Sequence, residues 1–481
     1  MNRKWIWIAL LAFLLPIAVR ALWFFPGFPS RPKVEKPNYA AMNLPAAPSQ
    51  SAQVEANIKQ RGGVVVFDTL HINQFKQAEI ASLTEALSAR GARIEFDTEA
   101  GLLETHLKYA SAYVIVAPNL LFTSDEIRVI SAFVQRGGRL VVFTDATHGL
   151  LSYDFFTGSE TMYSDSDTVN PLLATFGLSV NNDYLYNLVQ NEGNFRNVFF
   201  DQFGKNELTF GLKQIALYGT HSVKADSGLV LLSSNEQTLS SQTDAHDPSV
   251  GGAALSADGN VLVFGDFTFL TTPYNGVADN ASLIANIADF MLGGTRKPTL
   301  ANFPYIFNGQ SVQVLPTSEV QITAEMIASL GRMQTSLQML NEQMKITDKV
   351  PAEGDTLILG TFTQTDDLTP LIKPFGLVLD DTSSYIEVPG FGKVGRTGNG
   401  ILIFEPGKRG NTLILLADTN DDLTLLLDTL SGGGLYGCLL QGEIGVCSIG
   451  FGGSFSEEPT PEATPSDVPA GEPTPAPTPV G

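Results

Sequence analysis

The stretch Val64-Val65-Val66-Phe67-Asp68-Thr69-Leu70-His71 begins with four apolar residues, three of them β-branched, and then turns abruptly polar. A short continuous run of this kind reads as a strand buried on both faces, and such strands belong to parallel sheets covered by helices. The flanking sequence repeats the theme. Phe75 to Arg90 carries Ile80, Leu83 and Leu87 on one helical face and stops at Gly91; Arg93-Ile94-Glu95-Phe96 and Tyr113 to Ala117 are two more strands. Thr123-Ser124-Asp125-Glu126 is a capping box that opens a helix bearing Ile127, Ile130, Phe133 and Val134, closed by Gly137-Gly138. Leu140 to Phe143 and Val261 to Phe264 are further buried strands, the latter followed by an Asp279-Asn280 helix start with Leu283, Ile284, Ile287 and Phe290. This alternation predicts an α/β fold built on a parallel sheet. Residues 150–255 interrupt it with polar and aromatic sequence, including Tyr153, Phe155, Tyr184 and Phe200, and are expected to cap one end of the sheet.

Outward from this core the organisation changes twice. A second, smaller α/β domain is read over 298–453, with a strand at Ser311 to Leu315 and a long amphipathic helix at 318–345 whose Met326, Met333, Met339 and Met344 fill the core. It contains an internal echo: Thr356-Leu357-Ile358-Leu359 precedes Asp366-Asp367-Leu368-Thr369, and Thr412-Leu413-Ile414-Leu415 precedes Asp421-Asp422-Leu423-Thr424. The N-terminus, residues 1–28, places Arg3 and Lys4 before an apolar run and reads as an uncleaved signal-anchor helix. Residues 29–60 are a Pro/Ala/Ser/Gln-rich linker, 61–297 the first domain, and 454–481 a Thr-Pro and Glu-Pro tail without Lys or Arg, read as disordered.

Charge and cysteine content limit the functions available. With 29 Lys+Arg against 50 Asp+Glu and a net charge of -21, the surface lacks the basic face that nucleic-acid binding requires. Two cysteines cannot build a thiolate zinc cluster. Cys438 and Cys447 either bridge in an oxidising compartment or stand as two small apolar residues. Together with the solvated tail they favour an extracytoplasmic body on a single-pass membrane anchor.

Three strands of the first domain end in the same residue type: Asp68, Asp145 after Thr144, and Asp266 after Gly265. Two continue as Asp-x-x-His, bringing in His71 and His148. Ligands of open parallel sheets bind at the carboxyl ends of the strands, so Asp68, His71, Asp145, His148 and Asp266 are the candidate ligand-binding residues. They could accept from sugar hydroxyls, hold a cation or activate a water; equally, an Asp at a strand end can simply shape the turn or cap the next helix. Asp165-x-Asp167 in a polar loop is a weak calcium candidate. No P-loop or Gly-x-Ser-x-Gly elbow is present, and no cofactor is implied.

Val66-Phe67-Asp68-x-x-His71 near the start, with Gly265-Asp266-Phe267-x-Phe269-Leu270 before the Asp279-Asn280 helix, resembles the opening and closing motifs of a membrane-linked family sharing a domain of unknown function. That family is related to GldG-type accessory subunits of gliding-motility ABC transporters and to an intraflagellar-transport domain. The resemblance covers about 62–293 and implies a class I glutamine-amidotransferase-like, flavodoxin-like sheet without the amidotransferase reaction. Neither cysteine lies in that domain, where the family's enzymes would carry a nucleophile. It implies a binding or scaffold protein, with a glycan or an envelope protein as partner. The rival expectation is a hydrolase using the same strand-end residues, with or without a metal.

Overall fold

The computed structural model describes residues 3–25 and 58–449, apart from 154–155, 159, 308–310, 339–342, 350–352, 409, 433–434 and 436. The 454–481 tail, most of the 29–60 linker and Met339 lie outside the described residues. Chain contacts place the N-terminal helix in one unit and both sheets described below in another. Helix α1, Arg3–Phe24, has 22 residues and an 18-residue window of mean hydropathy 2.2, long and apolar enough to cross a membrane; a secretion signal answers the same description.

The first sheet has ten strands. Its centre is five parallel strands: β1 (Val64–Asp68), β2 (Arg93–Asp97), β3 (Ala112–Val116), β4 (Arg139–Phe143) and β10 (Val261–Phe264), in the order β10-β4-β3-β1-β2. That is a doubly wound order, and it reverses between β1 and β3. Because successive strand residues point to opposite faces, the apolar runs feed two cores. Val65, Phe67 and Phe143 meet α2 (Ala81–Ala89) and α6 (Asn280–Leu292) on one face. Val66 and Val142 meet α3 (Leu103–Tyr109), α4 (Ser124–Gln135) and α5 (Asp165–Leu173) on the other. The Thr123 capping box forms as read: its hydroxyl accepts the Glu126 amide at 3.2 Å, and Glu126 Oε2 accepts the Thr123 amide at 2.7 Å.

The 150–255 segment does more than cover the carboxyl end of this sheet, where Asp165, Tyr218 and His221 meet the turns after β4 and β10. It lengthens the sheet with antiparallel strands β5 (Leu178–Val180), β6 (Gln202–Phe203), β7 (Val223–Ala225), β8 (Leu229–Ser233) and β9 (Val250–Leu255). An edge strand exposes unpaired amides and carbonyls, and β9 satisfies those of β10, with Ala253 opposite Phe264.

A second sheet of seven strands follows, in the order β12-β11-β13-β15-β14-β17-β16: β11 (Ser311–Pro316), β12 (Gln343–Ile346), β13 (Asp355–Thr361), β14 (Asn399–Glu405), β15 (Thr412–Ala417), β16 (Cys438–Gln441) and β17 (Ile444–Ser448). The two halves of the echo lie side by side and in register, Thr356 opposite Thr412 through Leu359 opposite Leu415. Their helices differ. α9 (Asn420–Ser431) is capped by Thr419, whereas α8 (Thr369–Ile372) is one turn long, and Asp367 accepts instead from the amide and hydroxyl of Ser318 (2.8 and 3.2 Å).

The helix expected over 318–345 is shorter. α7 spans Ala324–Gln338; the Thr323 hydroxyl accepts the Met326 amide (3.2 Å) at its start, and Met344 belongs to β12. Met326 and Met333 are buried in the core that α7 shares with α9.

β16 and β17 form a hairpin in which Cys438 stands directly opposite Cys447, and the two are bonded. Closing a loop of nine residues restricts the unfolded chain by about 2–3 kcal/mol. Reductant should lower the unfolding free energy by that amount, read from urea midpoints of wild type and the Cys438→Ala/Cys447→Ala variant. An unchanged midpoint would show that the bond contributes nothing.

Candidate functional site

β4 and β10 run side by side and release the chain at the same edge, so Thr144-Asp145 and Gly265-Asp266 emerge together. Asp145 is buried. Its Oδ1 accepts from the amide and hydroxyl of Thr147 (2.8 and 2.5 Å), and its Oδ2 from the Thr268 hydroxyl (2.9 Å). His148 closes the turn with Nδ1 3.2 Å from Asp145 Oδ1 and its ring against Phe267. Asp266 is fully buried, and its two oxygens accept from the amides of Thr268 (2.7 Å) and Tyr218 (2.9 Å).

Behind this pair, the Asp145 amide donates to Asp165 Oδ2 (2.7 Å), and Asp165 Oδ1 lies 3.1 Å from His221 Nε2. His221 Nδ1 donates to the Asp183 carbonyl (2.5 Å). A carbonyl and a carboxylate both accept, so this geometry calls for a proton on each ring nitrogen. Gly265 permits the arrangement. A Cβ there would lie 2.1 Å from the His221 carbonyl oxygen, and the His221 amide donates to the Gly265 carbonyl at 2.8 Å.

Asp68 and His71 form a separate cluster, because β3 lies between β1 and β4. His71 Nδ1 sits 2.9 Å from Asp68 Oδ1, Nε2 is 3.6 Å from Glu126 Oε1, and the ring stacks on Phe122 at 3.8 Å. Asn73 donates to Asp68 Oδ2 (3.1 Å) and to the Val116 carbonyl (3.0 Å). The His71 carbonyl accepts the Asn119 and Leu120 amides, while Ile72 and Ala117 take left-handed backbone angles of 51° and 40°, a strained conformation for side-chain-bearing residues. The place where strand order reverses is thus filled by His71 and Phe122, and the five candidates share no single crevice.

An open cleft of about 300 Å³ lies at the other cluster, with Thr147, Thr268, Asn194, Asn197, Tyr218 and Tyr274 in its walls beside the exposed Arg196. Both threonine hydroxyls spend their protons on Asp145, so they can only accept from whatever enters. The rings of Tyr218 and Tyr274 pack at 4.4 Å, and the Tyr218 hydroxyl is buried with no hydrogen-bond partner among the described residues. A larger cleft of about 690 Å³, walled by Arg61, Arg139, Asp289 and Phe290, opens at the amino ends of the strands, remote from every strand-end acid. The smaller cleft is the one beside the candidate residues.

His221, Thr268 and Glu126 carry no site signal in the sequence, and Asp165 is marked there only as a calcium candidate. Asp165 is no calcium loop: Ser164 caps α5, Asp165 is buried in its first turn, and Asp167 is exposed. Among the described residues no group of three or more His, Cys, Asp or Glu is placed to share a metal ion. Glu126 was visible only as a helix cap. His221 stands 56 residues from Asp165, with no periodic signal to mark it.

Burial and the neighbouring charge of Asp145 push the Asp266 carboxyl well above the ordinary carboxylate range. Burial acts on Asp145 too, but His148 and the Thr147 donors outweigh it and hold Asp145 below that range. The adjacent acids therefore titrate apart, as two carboxyls sharing one environment must. For His148 the hydrogen bond that its ring donates to Asp145 exceeds the opposing effect of burial and raises its pKa. Burial works against protonating His71 and His221 as well, yet Asp68 with Glu126, and Asp165 with Asp183, leave both raised.

No protein-family model matches the chain, and no curated protein matches it. Among solved structures it is similar to the mmIFT52 N-terminal domain, with TM-score 0.39 and 15% identity over 47% of this chain and 97% of that one. It is also similar to ThuA-like proteins from Bacteroides uniformis (0.30, 13%, over 50% and 95%) and Parabacteroides merdae (0.27, 10%, over 50% and 94%).

The imidazole shifts set a pH dependence. His71, His148 and His221 are raised above 6.5 in the folded chain. Their contribution to stability is complete below that pH and is lost as pH rises through the folded values. The raised Asp266 acts in the same sense, and carboxylates lowered from 3.8 change only in acid. The urea midpoint should fall from pH 6 to pH 9, with a shallower slope in His71→Asn and His221→Asn; a flat or rising profile in wild type would contradict this account.

Proposed function

We propose that the chain is a membrane-anchored, extracytoplasmic binding or scaffold protein that holds a glycan at the Thr147–Thr268 cleft and catalyses no reaction there. The observation that carries this reading is the fixed polarity of the cleft. Asp145 draws in both threonine protons, leaving two oriented acceptors for sugar hydroxyls beside the half-buried ring of Tyr274, which packs on the buried Tyr218. A general acid or base must reach its substrate. Asp68, Asp145 and Asp266 are instead buried, with their oxygens already accepting protein hydrogen bonds. The amidotransferase-like character is part of the same reading: after β4 the turn carries Thr144 and Asp145, and both cysteines lie in the second sheet. An envelope transporter subunit is the protein partner that the GldG-type resemblance suggests.

One observation favours the rival hydrolase. His148 is partly exposed and paired with Asp145 as a general base is paired with its orienting acid.

Two measurements test these readings. The full-length chain in detergent should gain thermal stability with neutral oligosaccharides, by about 2.7 kcal/mol at 100 times the dissociation constant, and Thr268→Val should abolish the gain. No shift with any sugar would remove the glycan reading, and turnover of a glycoside lost in His148→Asn would establish the hydrolase. In sealed right-side-out membrane vesicles, added protease should digest the body of the chain; protection would place it on the cytoplasmic side.

A further inference from the structure

Resting on the glycan-binding reading of this cleft, the geometry points to an anionic sugar as its ligand, one that carries a single carboxylate or sulfate beside its ring hydroxyls. The decisive juxtaposition is an un-neutralised guanidinium next to two hydroxyls of fixed polarity. Arg196 makes no ion pair among the described residues, although the chain holds 50 acidic residues against 29 basic ones. Its guanidinium is positioned by stacking, 4.6 Å from the Tyr184 ring centre and 5.5 Å from that of Phe195. A guanidinium held by its face keeps its N–H fork available at the edge, where carboxylate and sulfate oxygens bind in pairs.

The donors and acceptors then divide the cleft in two. On one side Thr147 and Thr268 accept, because both protons go to Asp145. On the other, Arg196 donates, and so does the amide nitrogen of Asn194, whose carbonyl is engaged by the Arg196 amide at 3.1 Å. A neutral sugar would use the first half alone. A multiply charged phosphate would use the second half and meet the Asp145 carboxylate beneath the threonines. A singly charged sugar matches both halves, with its ring against Tyr274.

The test is isothermal titration of the full-length chain in detergent with three probes: a galacturonate disaccharide, a monosulfated galactose disaccharide and the neutral galactose disaccharide. At least one acidic probe should bind about tenfold tighter than the neutral one, a difference of roughly 1.4 kcal/mol, and added salt should narrow the gap. Arg196→Gln should erase the preference, bringing the acidic probe to the affinity of the neutral one, and Arg196→Lys, which keeps the charge but not the planar fork, should retain part of it. Equal affinity for acidic and neutral sugars, or a preference that survives in Arg196→Gln, overturns the inference and leaves glycan binding standing. If none of the three binds, the glycan reading itself fails and takes this inference with it.

Discussion

A carboxylate withdrawn from water must find partners or lose its charge, and Asp145 meets that requirement in a way that organises the whole carboxyl edge of the first sheet. It ties the turn after β4 to Thr147, the loop after β10 to Thr268, and the ring of His148 to both. Its amide in turn recruits Asp165 at the start of α5, which brings in His221 from the segment that runs across Gly265. Four stretches far apart in sequence meet around one buried charge.

That arrangement also explains why the strand-end acids are not interchangeable. Asp266 is closed in beside Asp145 and keeps its proton to higher pH, whereas Asp145 is held ionised by imidazole and hydroxyl donors. The effect reaches the surface through two threonine hydroxyls, whose orientation is decided from beneath. At the β1 end the same residue types do different work: Asp68 and Glu126 hold His71 in a strained turn, and His71 with Phe122 fills the crevice where strand order reverses.

Much of the architecture could be read from the chain. Val64–Asp68, Leu140–Phe143 and Val261–Phe264 are buried strands because nothing else satisfies so short a β-branched and apolar run, and Thr123 with Glu126 caps its helix because both residues act within one turn. Non-local pairing leaves no such mark in the chain. The 150–255 segment has weak, irregular alternation, yet its strands join the sheet because β10 would otherwise present an open edge. The helix expected over 318–345 stops short because Gln343–Ile346 is held as a strand by the edge of β11, which no local signal marks. Among the site residues, Asp68 with His71 and Asp145 with His148 are visible as Asp-x-x-His, a local spacing; His221 and Thr268 are not, and Asp165 is visible only in another role, since their association depends on strand order.

By itself the sequence determined that this is an acidic α/β chain with a helix long and apolar enough for a membrane, buried parallel strands, and aspartates at the strand ends. Those properties follow from composition and from contacts within a few residues. Only the tertiary structure decided which aspartates stand together. β4 and β10 are neighbours while β1 lies two strands on from β4, beyond β3, so Asp145 and Asp266 share a proton environment and Asp68 does not. It likewise decided that Cys438 faces Cys447, because the hairpin register sets them opposite. Register and strand order are long-range choices, made by burying both faces of a sheet at once, and no single segment encodes them.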